Sequence, residues 1–163
     1  MKREFILIGI LGLMLGIVGM VMAAQDTKPT SATVSINEFL SVTIDDATIT
    51  FGALNPSDTD KKPSNDPLNA TIGSETNVGS INVKTKANAA NFNATTGTFA
   101  VNNLEWDIAT GAFPGTAYTI SDATVCTGLI ASGSCSIYHE LDIPAAQTAG
   151  AYSVGITITA TTA

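Results

Sequence analysis

Few side chains in this chain have the type and spacing for chemistry. Two cysteines, Cys126 and Cys135, bracket Thr-Gly-Leu-Ile-Ala-Ser-Gly-Ser, a stretch whose glycines let it fold back. Without a CxxC spacing or a histidine cluster the pair fits neither a redox couple nor a zinc site, and it reads as a disulfide. His139 is the single histidine. It shares a strand face with Ile137 and Leu141. No nucleophile motif accompanies it, so it reads as a histidine packed or paired within a strand. Glu105, Asp107 and Glu140 are the carboxylates from which a glycosidase pair would be drawn. Asp58, Asp60, Asn65 and Asp66 crowd one loop with oxygen donors of the kind that ligate calcium. Their spacing matches no EF-hand and Lys61 and Lys62 dilute the charge, so the loop reads as solvated. Trp106, with Leu104 and Ile108 on one parity, reads as a core residue. The alternative is a sugar-stacking platform, with Tyr118 and Tyr138 beside it. Asn69-Ala-Thr71 and Asn93-Ala-Thr95 are N-x-[ST] sequons, which makes Asn69 and Asn93 candidate glycosylation sites. No catalytic residue, metal ligand or cofactor site is assigned, and an enzyme is not expected.

The elements that must position these residues begin with an export signal. Met1-Lys-Arg is a basic head, Phe5–Ala24 is an uncharged apolar run, and small residues at Ala23 and Ala24 precede polar Gln25. This is the pattern of a signal peptide over residues 1–24, with an uncleaved anchor as its rival. Residues 25–31 form a polar arm, and residues 32–163 form one domain of ordinary size. The chain carries a net charge of −7, which disfavours nucleic acid and anionic membranes as partners. The membrane is expected to be met only through the signal segment before cleavage.

Charged residues make up only 13% of the chain, and Thr, Ser, Asn and Gly carry the polarity instead. Such a composition favours strands and turns. The clearest strand is Tyr152–Ala160, where Tyr152, Val154, Ile156, Ile158 and Ala160 alternate strictly with Ser153, Gly155, Thr157 and Thr159. Val34, Ile36, Leu40, Val42 and Ile44 give Ala32–Asp45 a similar pattern, broken by Glu38. That run is longer than the usual strand of roughly 20 Å. Either a bulge near Glu38 splits it, or its first half pairs outside its own molecule. Asp45-Asp46 is expected to turn the chain into a second strand, Ala47–Leu54, with Ile49 and Phe51. Asn55–Pro67 is a loop. Further strands are expected at Leu68–Gly73, Asn77–Lys86, Phe99–Ile108 with a parity break at Asn102-Asn103, Ala117–Ile120, Val125–Ile130 and Cys135–Ile143. Asn88–Gly97 carries only Phe92 as a large apolar residue. Eight or nine short strands without helical periodicity predict an all-β fold, a single antiparallel β-sandwich of immunoglobulin-like or jelly-roll type, preceded by the signal helix.

These pieces together carry a resemblance. Val42-Thr-Ile, Ile49-Thr-Phe-Gly-Ala-Leu-Asn-Pro56, Leu104-Glu-Trp106, the two cysteines, and Ile143-Pro-Ala-Ala-Gln-Thr-Ala-Gly-Ala-Tyr152 with its alternating tail resemble small secreted immunoglobulin-like surface proteins. The nearest functional group is the TasA-like biofilm-fibre and archaeal bundling-pilus subunits. The resemblance implies a secreted, cell-surface structural protein that self-associates by lending a strand, with Val34 and Ile36 as inserted knobs. The alternative is a carbohydrate-binding or adhesive module with a polysaccharide partner.

Overall fold

A computed structural model describes residues 31–110 and 112–163. The expected signal peptide 1–24, and the arm as far as residue 30, lie outside the described residues. The chain divides into a unit ending at Ile36 and a unit Asn37–Ala163 that holds every strand described.

The fold is all-β with antiparallel pairing throughout. The strands are β1 (Val42–Ile44), β2 (Leu68–Ile72), β3 (Ile81–Ala87), β4 (Asn91–Ala94), β5 (Gly97–Ala100), β6 (Leu104–Asp107), β7 (Thr116–Ala117), β8 (Ala123–Leu129), β9 (Ser134–Leu141) and β10 (Ile156–Thr162). They form a five-stranded sheet in the order β1-β2-β9-β6-β7, a three-stranded sheet β10-β3-β8, and a β4–β5 hairpin.

Alternation selects the inner face of each strand. On β2, Leu68, Ala70 and Ile72 are buried; on β3, Ile81, Val83, Thr85 and Ala87 are buried while Asn82, Lys84 and Lys86 are half-exposed. On β9 the inner row is Cys135, Ile137, His139 and Leu141. Apolar residues of both sheets and of the hairpin meet in one cluster, which includes Trp106, Val125, and the stacked rings of Phe92 and Phe99. A β-strand offers one face to such a cluster, and burying that face is the main favourable term in holding these sheets together.

The structure corrects several boundaries. Asn88–Gly97 forms half of a hairpin, with Phe92 opposite Phe99. The parity break at Asn102-Asn103 is a 3₁₀ turn, Val101–Asn103, and it sends β5 and β6 into different sheets. The side-chain amide of Asn103 donates to the Ala100 carbonyl across that turn (2.8 Å). Asp45-Asp46 does not reverse the chain. Ser64 N–H donates to the Thr50 carbonyl (2.9 Å), which keeps the register line set by Val42 opposite Ile72 and Ile44 opposite Ala70. Ala47–Phe51 therefore runs on beyond β1 along the same sheet edge. It pairs with no named strand, and Gly52 ends it at φ +73°.

The cysteines are joined, Cys126 on β8 to Cys135 on β9. The bond is more than a loop clasp, because β8 belongs to the three-stranded sheet and β9 to the five-stranded one.

Candidate functional site

Among the described residues the core is open on one side. A groove of about 1130 Å³ runs between the outer edge of the five-stranded sheet and the outer edge of the three-stranded sheet. One wall is β1 and its continuation, with Val42, Ile44, Ile49, Phe51 and Leu54. The other is the approach to β10 and β10 itself, with Tyr152, Val154, Ile156 and Ile158. The floor is Leu68, Phe92, Phe99, Leu104 and Leu141. The floor side chains are buried, whereas the wall residues are half-buried and Ile44 is exposed. Apolar side chains that alternate as if for a core, yet stay partly wet, mark a surface built to be covered.

The backbone of each wall can be followed residue by residue. Along the last strand the odd residues face inward to the sheet. Ser153 exchanges both bonds with Asn93, Asn88 N–H donates to the Gly155 carbonyl, and Ala163 N–H donates to the Ser80 carbonyl. In an antiparallel ladder the intervening residues then turn their N–H and C=O groups to the opposite side. For Val154, Ile156, Ile158 and Ala160 that side is the open edge, since among the described residues β10 is the last strand of its sheet. On the other wall the pattern is interrupted. Asp45 N–H donates to the Asn69 carbonyl and the Ser41 carbonyl accepts from Gly73, so Val42 and Ile44 point outward. Beyond Asp46 the phase reverses: the Thr48 carbonyl accepts from Asn65, Thr50 donates to Asn65 and accepts from Ser64, and the Thr48 N–H turns back to the Asp46 carboxylate.

The loop before β10 is fixed by a tyrosine clamp. Tyr152 OH donates to the Thr148 carbonyl (2.8 Å) and receives Gln147 Nε2, while its ring leans on Phe99. Thr96 Oγ1 donates to the Ala149 carbonyl, and Thr148 Oγ1 returns a bond to the Thr96 carbonyl. Gly150 lies so close to Thr96 Oγ1 that a Cβ there would collide with it. The Pro-to-Gly-x-Tyr spacing thus has a mechanical purpose: it seats the last strand against the β4–β5 hairpin.

The residues singled out for chemistry are placed as follows. His139 is 0% exposed. Asp66 accepts its backbone N–H and its Nδ1 (3.1 and 3.2 Å), and Nε2 lies 3.0 Å from Tyr118 OH, which Thr85 Oγ1 reaches at 3.4 Å. Burial holds the His139 pKa below its ordinary value against the opposing pull of Asp66, so the contact is a hydrogen bond of a neutral ring at pH 7. Burial likewise pushes Tyr118 up to about 12, with the hydrogen bond from Thr85 opposing and the Asp66 charge adding. This network ties β9, the loop before β2, and β3 together inside the core. Sequence reading gave His139 a packed or paired place but could not supply its partners.

Trp106 is 8% exposed, so its ring offers no stacking platform, and Tyr118 is buried with it. Glu105 and Glu140 stand directly opposite one another on β6 and β9, while Asp107 faces Tyr138. With Asp60 and Asp142, Glu105 and Glu140 line a cleft of only about 40 Å³, and Asp107 lies outside that lining. Glu105 accepts the Gly115 N–H (2.7 Å) and Glu140 pairs with Lys62 (3.4 Å). The calcium-type loop does not converge: Asp58 turns to Asn55 and Lys61, Asn65 to Asp46 and Thr48, and Asp66 to His139. Among the described residues, no group of three or more His, Cys, Asp or Glu is arranged to hold a metal ion.

The two sequons differ. Asn69 lies on β2 between β1 and β9, its amide donating to Asp45 (2.7 Å) and accepting from Ser136 (2.6 Å). Asn93 and Thr95 are exposed on the β4–β5 hairpin. Val34 and Ile36 are 85% and 80% exposed.

No protein family matches the chain, and comparison with curated proteins found none similar to it.

Proposed function

We propose that this protein is exported and acts as a structural subunit of the cell surface, assembling into fibres by strand addition between copies. On this reading the two sheets form an immunoglobulin-like sandwich that lacks one strand. The segment around Val34 and Ile36 of a neighbouring copy supplies it. One observation carries the reading: an apolar groove bordered by a backbone row that is unpaired among the described residues, in a chain whose Val34 and Ile36 are exposed apolar residues on an alternating segment. Main-chain hydrogen bonds to an open edge give affinity, and alternate side chains filling the groove give register. Such a head-to-tail contact does not close on itself and propagates. Long apolar edges are ordinarily guarded in monomeric proteins, and among the described residues no strand pairs with the outer edge of β10.

The carbohydrate-binding alternative loses its platform with the burial of Trp106. Electron microscopy of the purified exported chain tests the proposal. Fibres are expected, and deletion of residues 25–36 is expected to leave a soluble protein that does not polymerise. Fibres that persist after the deletion refute strand donation by this segment.

A further inference from the structure

We infer that the incoming strand is held by the outer edge of β10, not by the outer edge of the five-stranded sheet. This deepens the strand-addition proposal and rests on it: the groove has two walls, and an added strand must take its hydrogen bonds from one of them.

The two edges are not equivalent. A β-ladder needs N–H and C=O groups that point outward at every second residue over several residues without a change of phase. From Val154 to Ala160 this condition holds, because Ser153, Gly155 and Ala163 at odd positions are bonded inward and the pairing with β3 runs unbroken from Ile156 to Thr162. On the opposite wall it fails. Val42 and Ile44 present their groups outward, but beyond Asp46 it is Thr48 and Thr50 that are bonded inward. The outward phase shifts from even to odd residues in the middle of the edge, and Gly52 at φ +73° ends it. A straight incoming strand would satisfy one half of that edge and lose the other.

Side chains agree with the backbone. Val154, Ile156 and Ile158 turn into the groove beside the outward backbone row. An added strand that continues this sheet places every second side chain in the same groove. The donor segment of the second copy carries Val34 and Ile36 at that spacing, and both are exposed before assembly. They would then lie between β10 and the half-buried Ile49 and Phe51 of the far wall. The far wall supplies apolar contact and β10 supplies the ladder.

The test is residue-resolved amide exchange on the unmutated exported chain, compared between the dissociated and assembled states. Exchange is stopped by dissolving the fibres in an aprotic solvent and read by NMR. Thr157 and Thr159, bonded within the sheet, are expected to be slow in both states. Ile156 and Ile158 are expected to be fast in the dissociated chain and to slow by at least about a hundredfold on assembly, as open amides do when they join a ladder. If slowing falls instead on Val42, Ile44, Ile49 and Phe51 while β10 is unchanged, this inference is overturned and strand addition survives. Assembled material in which neither edge slows, or a chain that never assembles, overturns both.

Discussion

Val34 and Ile36 allow assembly to be separated from folding. Both are largely exposed in the single chain, at 85% and 80%, so truncating them to alanine removes almost nothing from the folded state. Substitutions at such sites shift stability by no more than about 0.5 kcal/mol. In a fibre the same side chains are buried in a neighbour's groove. Val→Ala and Ile→Ala together delete five carbons, worth about 4 kcal/mol at roughly 0.8 kcal/mol per buried methylene. Allowing for the fraction already covered and for imperfect burial, about 3 kcal/mol of association is lost. At a factor of ten per 1.4 kcal/mol, the concentration needed for assembly should rise roughly a hundredfold. The assay is sedimentation of assembled material across a concentration series, beside thermal melts of the unassembled protein. The expected result is a large rightward shift in assembly with superimposable melts. Assembly of the double variant at the unmodified protein's concentration would refute the argument that these side chains are buried at the contact. A melt lowered by several degrees would refute the claim that they are idle in the single chain.

Four further outcomes are expected. Replacing Cys126 and Cys135 by serine and alanine opens a loop with a sequence separation of 9 and should cost about 2.7 kcal/mol on the chain-entropy estimate, seen as a fall in melting temperature of roughly 10 °C; an unchanged melt would show that the tie between the sheets is redundant. His139 titrates lower in the folded chain than in the unfolded one, so the unfolded chain binds the extra proton, and stability should be complete above about pH 6.5 and decline as pH falls below it; urea titrations from pH 7 to 5 should show this slope, and His139→Gln should abolish it. Tyr118 has the opposite sign, and stability should fall as pH rises from about 10 towards 12. Mass spectrometry of protein from a glycosylating host should find any N-linked glycan on Asn93, with Asn69 bare, because the Asn69 amide is engaged by Asp45 and Ser136; a glycan on Asn69 contradicts that placement.

Much of the fold can be read from the chain because its alternation is local. Ile81, Val83, Thr85 and Ala87, or Cys135 and Ile137, fix which face of a strand turns inward whatever its neighbours are. The parity break at Asn102-Asn103 marked an irregularity but not the parting of β5 and β6 into different sheets, whereas the cysteine pair announced its own bond. The same alternation misjudged Ala47–Leu54. Its apolar rhythm is that of a strand, but a strand also needs a partner, and among the described residues the groove lies on its open side.

Composition and alternation thus determined an all-β chain, the inner face of its strands, and which two sulfurs pair. Tertiary structure alone decided that the bond crosses between sheets, that Asp66 meets His139 from 73 residues away, and that among the described residues the core is left open beside β10. The physical reason is that a side chain's polarity settles whether it should leave water, whereas its partner is chosen by long-range strand pairing, which no short window of residues contains.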